Sequence, residues 1–75
     1  MKKVEEIFAF VIVDDDGDEG VPAVMVGDMW VPMVGADPGR IESLHPYAQE
    51  VATAKDRRVS LRHFKLTREM EVIEP

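Results

Sequence analysis

Seven consecutive residues hold the densest chemistry in the chain: Asp14, Asp15, Asp16, Gly17, Asp18, Glu19 and Gly20, five acids and two glycines. Carboxylate oxygens at alternate positions are what a hard cation such as calcium takes as ligands. Counted from Asp14, the first three ligand positions of a helix-loop-helix calcium loop are filled by Asp14, Asp16 and Asp18. The pattern then fails. The position that needs glycine for the sharp bend is Glu19, the position of the closing glutamate is Met25, and both flanks read as strands. A metal set of Asp14, Asp16, Asp18 and Glu19 is therefore an unorthodox, weak site, driven by relief of repulsion among crowded acids. The simpler reading is a charged hairpin turn, since Asp and Gly are also what a tight turn requires and acids keep a sheet edge soluble.

A second grouping is basic. Six of the nine cations, Lys55, Arg57, Arg58, Arg62, Lys65 and Arg68, fall in one late segment. Arg57, Arg58, Arg62 and Lys65 are the candidates for phosphate contacts, but Phe64 is the one aromatic residue among them and no nucleic-acid motif accompanies them. The leading expectation for this segment is a solvated face that pairs with the acidic turn, within one chain or between two. His45 and His63 are candidate bases, and Ser43 and Ser60 candidate nucleophiles, yet none has the spacing or glycine context of a catalytic group. Trp30 among Met25, Met29 and Met33 fits either core or a partner groove. Phe8, Phe10, Trp30 and Met33 are the candidate partner-interface residues.

The elements that must position these groups follow from pattern. Residues 7–13, IFAFVIV, are apolar at both alternating positions, as in a strand buried at the centre of a sheet. Residues 21–26 and 29–34 read as two more strands joined at Gly27-Asp28, with Pro22 and Pro32 suited to strand ends or edges. Asp37 is a helix cap and Pro38 fits the first helical position. Ile41, Leu44, Ala48, Val51 and Ala52 make one helical stripe, so a single helix over about 38–54, kinked at Pro46, is expected in preference to a short first turn followed by a second helix from Pro46. Residues 58–66 read as a fourth strand, with a bulge near Arg62-His63 to reconcile Val59 and Leu61 with Phe64 and Leu66. After Thr67 a short last strand or a single turn is expected.

The fold class is thus α+β: a small, mostly antiparallel sheet with one kinked helix on one face, in a single domain. A meander of the first three strands and a crossover give the order 3-2-1-4, with the fourth strand parallel to the first. A chain of 75 residues with no cysteine has neither disulfides nor thiolate zinc to support it. One helix covers one face of the first strand, so a second copy is expected on the other. The apolar start is too short to span a bilayer and lacks a cleavage signal, which favours a cytoplasmic protein. The net charge of −6 disfavours non-specific attraction to nucleic acid and anionic membrane.

The stretches FAFVIVDDDGDEGV, MWVPMVGADPGRIESLHPYAQEVA and RHFKLTREMEVIE resemble a group of short bacterial and phage-associated proteins of unknown function. The resemblance implies an accessory role and transfers no activity, cofactor or catalytic residue. The expectation from the residues is a non-enzymatic protein without a cofactor, acting through protein contacts and as a homodimer. The alternatives are a divalent-cation module at the acidic turn and a nucleic-acid contact through the basic segment.

Overall fold

The computed structural model describes residues 3–75, and the basic start at Met1 and Lys2 lies outside them. The apolar run forms β1 (Glu6–Val13) and sits at the centre of the sheet as its composition requires. Along one edge it pairs antiparallel with β6 (Val59–Lys65), without a break from Glu6 opposite Lys65 to Ile12 opposite Val59. The other edge is filled in pieces. Here β2 (Glu19–Gly20) lies opposite Ile12 and Val13, and β5 (Val34–Gly35) lies opposite Phe8 and Ala9.

Between those two pieces the chain leaves the sheet as a separate hairpin, β3 (Ala23–Val26) and β4 (Met29–Pro32). Its two-residue turn starts at Gly27, whose φ of 62° is the positive value that a tight hairpin loop requires at its first position. The expected order 3-2-1-4 is thereby corrected, and proline is the physical reason. Pro22 brings no N–H to a ladder, and Met33 takes the place beside Phe10 instead. The Phe10 N–H donates to the Met33 carbonyl at 3.0 Å, and the Met33 N–H donates to the Pro22 carbonyl at 3.0 Å. One residue thus closes the hairpin base and pins it to β1.

The fourth strand is also corrected. β6 runs antiparallel to β1, where a parallel strand was expected. The crossover from β5 does reach a strand parallel to its start, but β5 itself opposes β1, so both flanking strands oppose it. No bulge interrupts β6: the register is continuous through Arg62 and His63. The apolar phase switch has a simpler origin, since Val59 and Leu61 face one side of the sheet with Phe10 and Ile12, and Phe64 faces the other with Ile7. Beyond β6 the pairing continues for one bond, from the Leu66 N–H to the Glu5 carbonyl at 2.7 Å. Residues 66–75 form neither strand nor helix.

The helix α1 (Pro38–Lys55) starts as expected, with the Asp37 carboxylate accepting from the Gly39 N–H at 2.9 Å and Pro38 in the first turn. It is continuous and carries Pro46 inside, which removes one hydrogen bond to the Glu42 carbonyl and kinks it. It ends in a left-handed residue, Asp56, at φ 50°. The Asp56 N–H donates to the Thr53 carbonyl at 3.3 Å and the Arg57 N–H to the Ala52 carbonyl at 3.1 Å, which satisfies two otherwise orphaned carbonyls.

The predicted stripe meets the sheet. Ile41, Leu44 and Ala48 join Phe10, Val24 and Met33 in one core, with Phe8, Tyr47, Val51 and Val59 packed against it. On the opposite face of β1, Ala9 and Val11 are only 3% and 5% exposed. The register places Arg62 beside Ala9 on that face and Glu19 beside Val13. The Arg62 guanidinium meets the Glu19 carboxylate at 2.8 and 2.7 Å while its Nε donates to Ser60 at 3.2 Å. The arginine side chain therefore reaches across β1 from one neighbour to the other, on the face that carries Ala9 and Val11.

Met33, at 0% exposure, and Trp30, at 67%, should separate sharply in a stability series. Met33→Ala is expected to cost about 2–4 kcal/mol and Trp30→Ala to stay within about 0.5 kcal/mol, both by urea denaturation. Equal costs would contradict this assignment of core and surface.

Candidate functional site

The acidic turn is shaped by its first residue. The Asp14 carboxylate Oδ1 accepts from the Asp16 N–H at 3.1 Å and the Asp18 N–H at 3.0 Å. The backbone adds bonds from the Asp14 N–H to the Asp18 carbonyl at 2.9 Å and from the Gly17 N–H to the Asp14 carbonyl at 3.1 Å. Gly17, at φ 85°, supplies the left-handed step that a side chain would resist. The loop is a hydrogen-bonded turn on the turn chemistry that its composition signals.

The five acids are sorted into two sets. Asp15 meets Arg57 at 2.6 Å and Glu19 meets Arg62 through both carboxylate oxygens. Asp14, Asp16 and Asp18 instead converge, each offering one oxygen, with those oxygens all within 4.8 Å of one another. All three are exposed. Among the described residues no cationic side chain pairs with them. Glu19, the fourth residue of the expected metal set, is held by the Arg62 fork, and the three aspartates converge without it.

The same pairing bears on the basic segment. Of Arg57, Arg58, Arg62 and Lys65, two are committed to carboxylates. The alternation along β6 also puts Arg62 and Lys65 on opposite faces of the sheet, so the four do not form one row for a phosphate backbone. Pairing with the acidic turn within one chain is what the structure supports.

The remaining candidates are used locally. His63 stacks on Phe8 with ring centroids 4.6 Å apart, and its Nε2 lies 2.9 Å from a Glu6 carboxylate oxygen. His45 sits edge-on to Phe10 at 6.3 Å. The Ser43 hydroxyl donates to the Arg40 carbonyl at 2.7 Å, and Ser60 accepts from Arg62. Neither serine is hydrogen-bonded to a histidine among the described residues. Of the expected interface residues, Phe10 and Met33 lie in the core, which corrects their assignment to a partner surface, and Phe8 is half-buried. Trp30 is exposed, opposite Met25 on the hairpin.

No protein-family model, curated protein or solved structure matches the chain. Among the described residues no helix is long and apolar enough to cross a membrane.

The pairs that sort the acids were not legible in the sequence. Antiparallel pairing returns the start of β6 to the end of β1, which brings Arg57 to the turn; a parallel fourth strand would have carried it away. The signal that pointed there was the opposition of an acidic and a basic block.

The two arginine pairs set a pH dependence. The hydrogen bond and then the charge of Arg57 hold Asp15 below its ordinary 3.8, and those of Arg62 hold Glu19 below its ordinary 4.5. A carboxylate whose pKa is lower folded than unfolded contributes stability above its unfolded pKa and loses it as the pH falls through the folded one. Stability measured by urea denaturation should therefore fall as the pH drops below about 4.5. Arg62→Gln should flatten that acid-side fall. An unchanged acid profile in the variant would contradict the pairing.

Proposed function

We propose that the chain is a small, non-enzymatic binding module whose β1–β2 turn takes a divalent cation through Asp14, Asp16 and Asp18. The observation that carries this reading is the convergence of their three oxygens within 4.8 Å while both neighbouring acids are held by arginines. Oxygen ligands stand about 2.3–2.6 Å from calcium, so ligands on opposite sides of the ion are about 5 Å apart. The three oxygens fit within that span. The donor set is hard, all carboxylate, which selects calcium or magnesium over thiophilic metals. An exposed site with three side-chain ligands leaves the rest of the coordination sphere to water and carbonyls, and its affinity belongs in the millimolar range of weak calcium modules. Cation binding here relieves like-charge repulsion and leaves the arginine pairs in place.

Titration with calcium chloride and magnesium chloride, followed by amide chemical shifts, tests this. Saturable shifts confined to residues 14–20, with a midpoint of about 1 mM, are expected. Asp16→Asn with Asp18→Asn should abolish them. A linear response, or one matched by sodium at equal ionic strength, would contradict the proposal.

A further inference from the structure

The outer edge of β6 and the last residues of the chain are complementary to each other. Among the described residues β6 pairs with β1 alone, so its second edge presents free backbone donors and acceptors, a template for another strand. That edge carries His63 and Lys65, with Leu61 and Phe64 half exposed. The segment that follows, Glu69-Met70-Glu71-Val72-Ile73-Glu74, alternates acid and apolar residues for its first four positions, the period of a strand. It has no regular structure, and Met70 and Ile73 are 81% and 85% exposed.

One antiparallel register matches charge and shape together. With Glu69 opposite Lys65, Glu71 falls opposite His63, whose Nε2 lies 2.9 Å from Glu6, while Met70 falls opposite Phe64, Val72 opposite Arg62 and Ile73 opposite Leu61. Opposed charges and paired apolar side chains are what stabilise neighbouring strands. Folding the segment back onto its own β6 would require a tight turn around Thr67-Arg68, and neither residue is the glycine or asparagine that such a turn favours. A second copy avoids the turn, because the connection can then stay extended.

We infer that residues 69–74 of one copy add as a strand to the free edge of β6 in a second copy, reciprocally, in a two-fold dimer. Exchange of an identical element is a low-cost route to such a dimer. A two-fold axis near Leu66 also brings together the two copies of a groove of ≈240 Å³ whose apolar lining, Val4, Ile7, Phe64 and Leu66, is rimmed by Glu5, Glu6 and Lys65. The occupant of the edge is thus fixed by charge, by alternation and by turn chemistry, and does not depend on the cation reading.

Light scattering at about 100 µM should give twice the monomer mass for the full chain and the monomer mass for a chain stopped after Arg68, with the amide spectrum of β1 and α1 retained. Glu69→Lys with Glu71→Lys should weaken dimerisation at least about tenfold, and adding Lys65→Glu should recover part of that loss. In mixed-label samples, contacts between Met70 and Phe64 should be intermolecular. A monomeric full chain, a dimer that survives the truncation, or purely intramolecular contacts would each overturn the inference.

Discussion

A strand with apolar side chains on both faces sets a covering problem for a chain of 75 residues, and the rest of the architecture follows from how β1 is covered. On one face Phe10 is enclosed by Ile41, Leu44 and Ala48 of the helix together with Met33 and Val24. On the other, Ala9 and Val11 are buried within a single chain. Hydrophobic burial at the centre of the sheet is what a domain of this size depends on, because no disulfide supplements it. The middle of β1 needs no partner. What stays open lies toward the ends of the strand, where Ile7, Phe64 and Leu66 are exposed.

The second face carries an ion pair whose main contribution is geometric. Surface pairs contribute little by charge alone, but the Arg62–Glu19 fork carries an aliphatic stem across β1 and ties its two neighbours together. The Asp15–Arg57 pair does similar work at the end of the sheet. Arg57 directly follows the left-handed Asp56 that stops the helix, so the cap, the salt bridge and the acidic turn form one connected corner. Asp14, Asp16 and Asp18, which the hydrogen bonds of the turn hold together, converge at the same corner, beside the acids that the arginines hold.

Much of the architecture was legible in the sequence because it rests on periodicity. The apolar run of β1, the helix stripe from Ile41 to Ala52, the Asp37-Pro38 start and the Gly27 turn each state a local preference that the tertiary structure keeps. The topology was not legible, for local reasons. Pro22 and Pro32 do mark strand ends, as read, but the strands they bound form a hairpin that leaves the sheet altogether, with Met33 bridging the gap. That displacement reverses the expected direction of β6 relative to β1, and with it which arginine meets which acid. Glu19 is the clearest case: its place in the Asp14–Glu19 run suggested a ligand, and only the direction of β6 assigns it to Arg62. Met33 was ambiguous in kind, since methionine serves cores and interfaces alike, and only the hydrogen bonds of its backbone place it inside.

Buried at its middle on both faces within one chain, β1 is expected to be the most protected element of the molecule. Native-state hydrogen exchange of its amides measures this directly. The amides of Ala9, Phe10 and Val11 should be the slowest in the protein and exchange only through global unfolding, while those of the β3–β4 hairpin open at lower free energy. Exchange at Ala9 to Val11 as fast as in the hairpin would contradict the account.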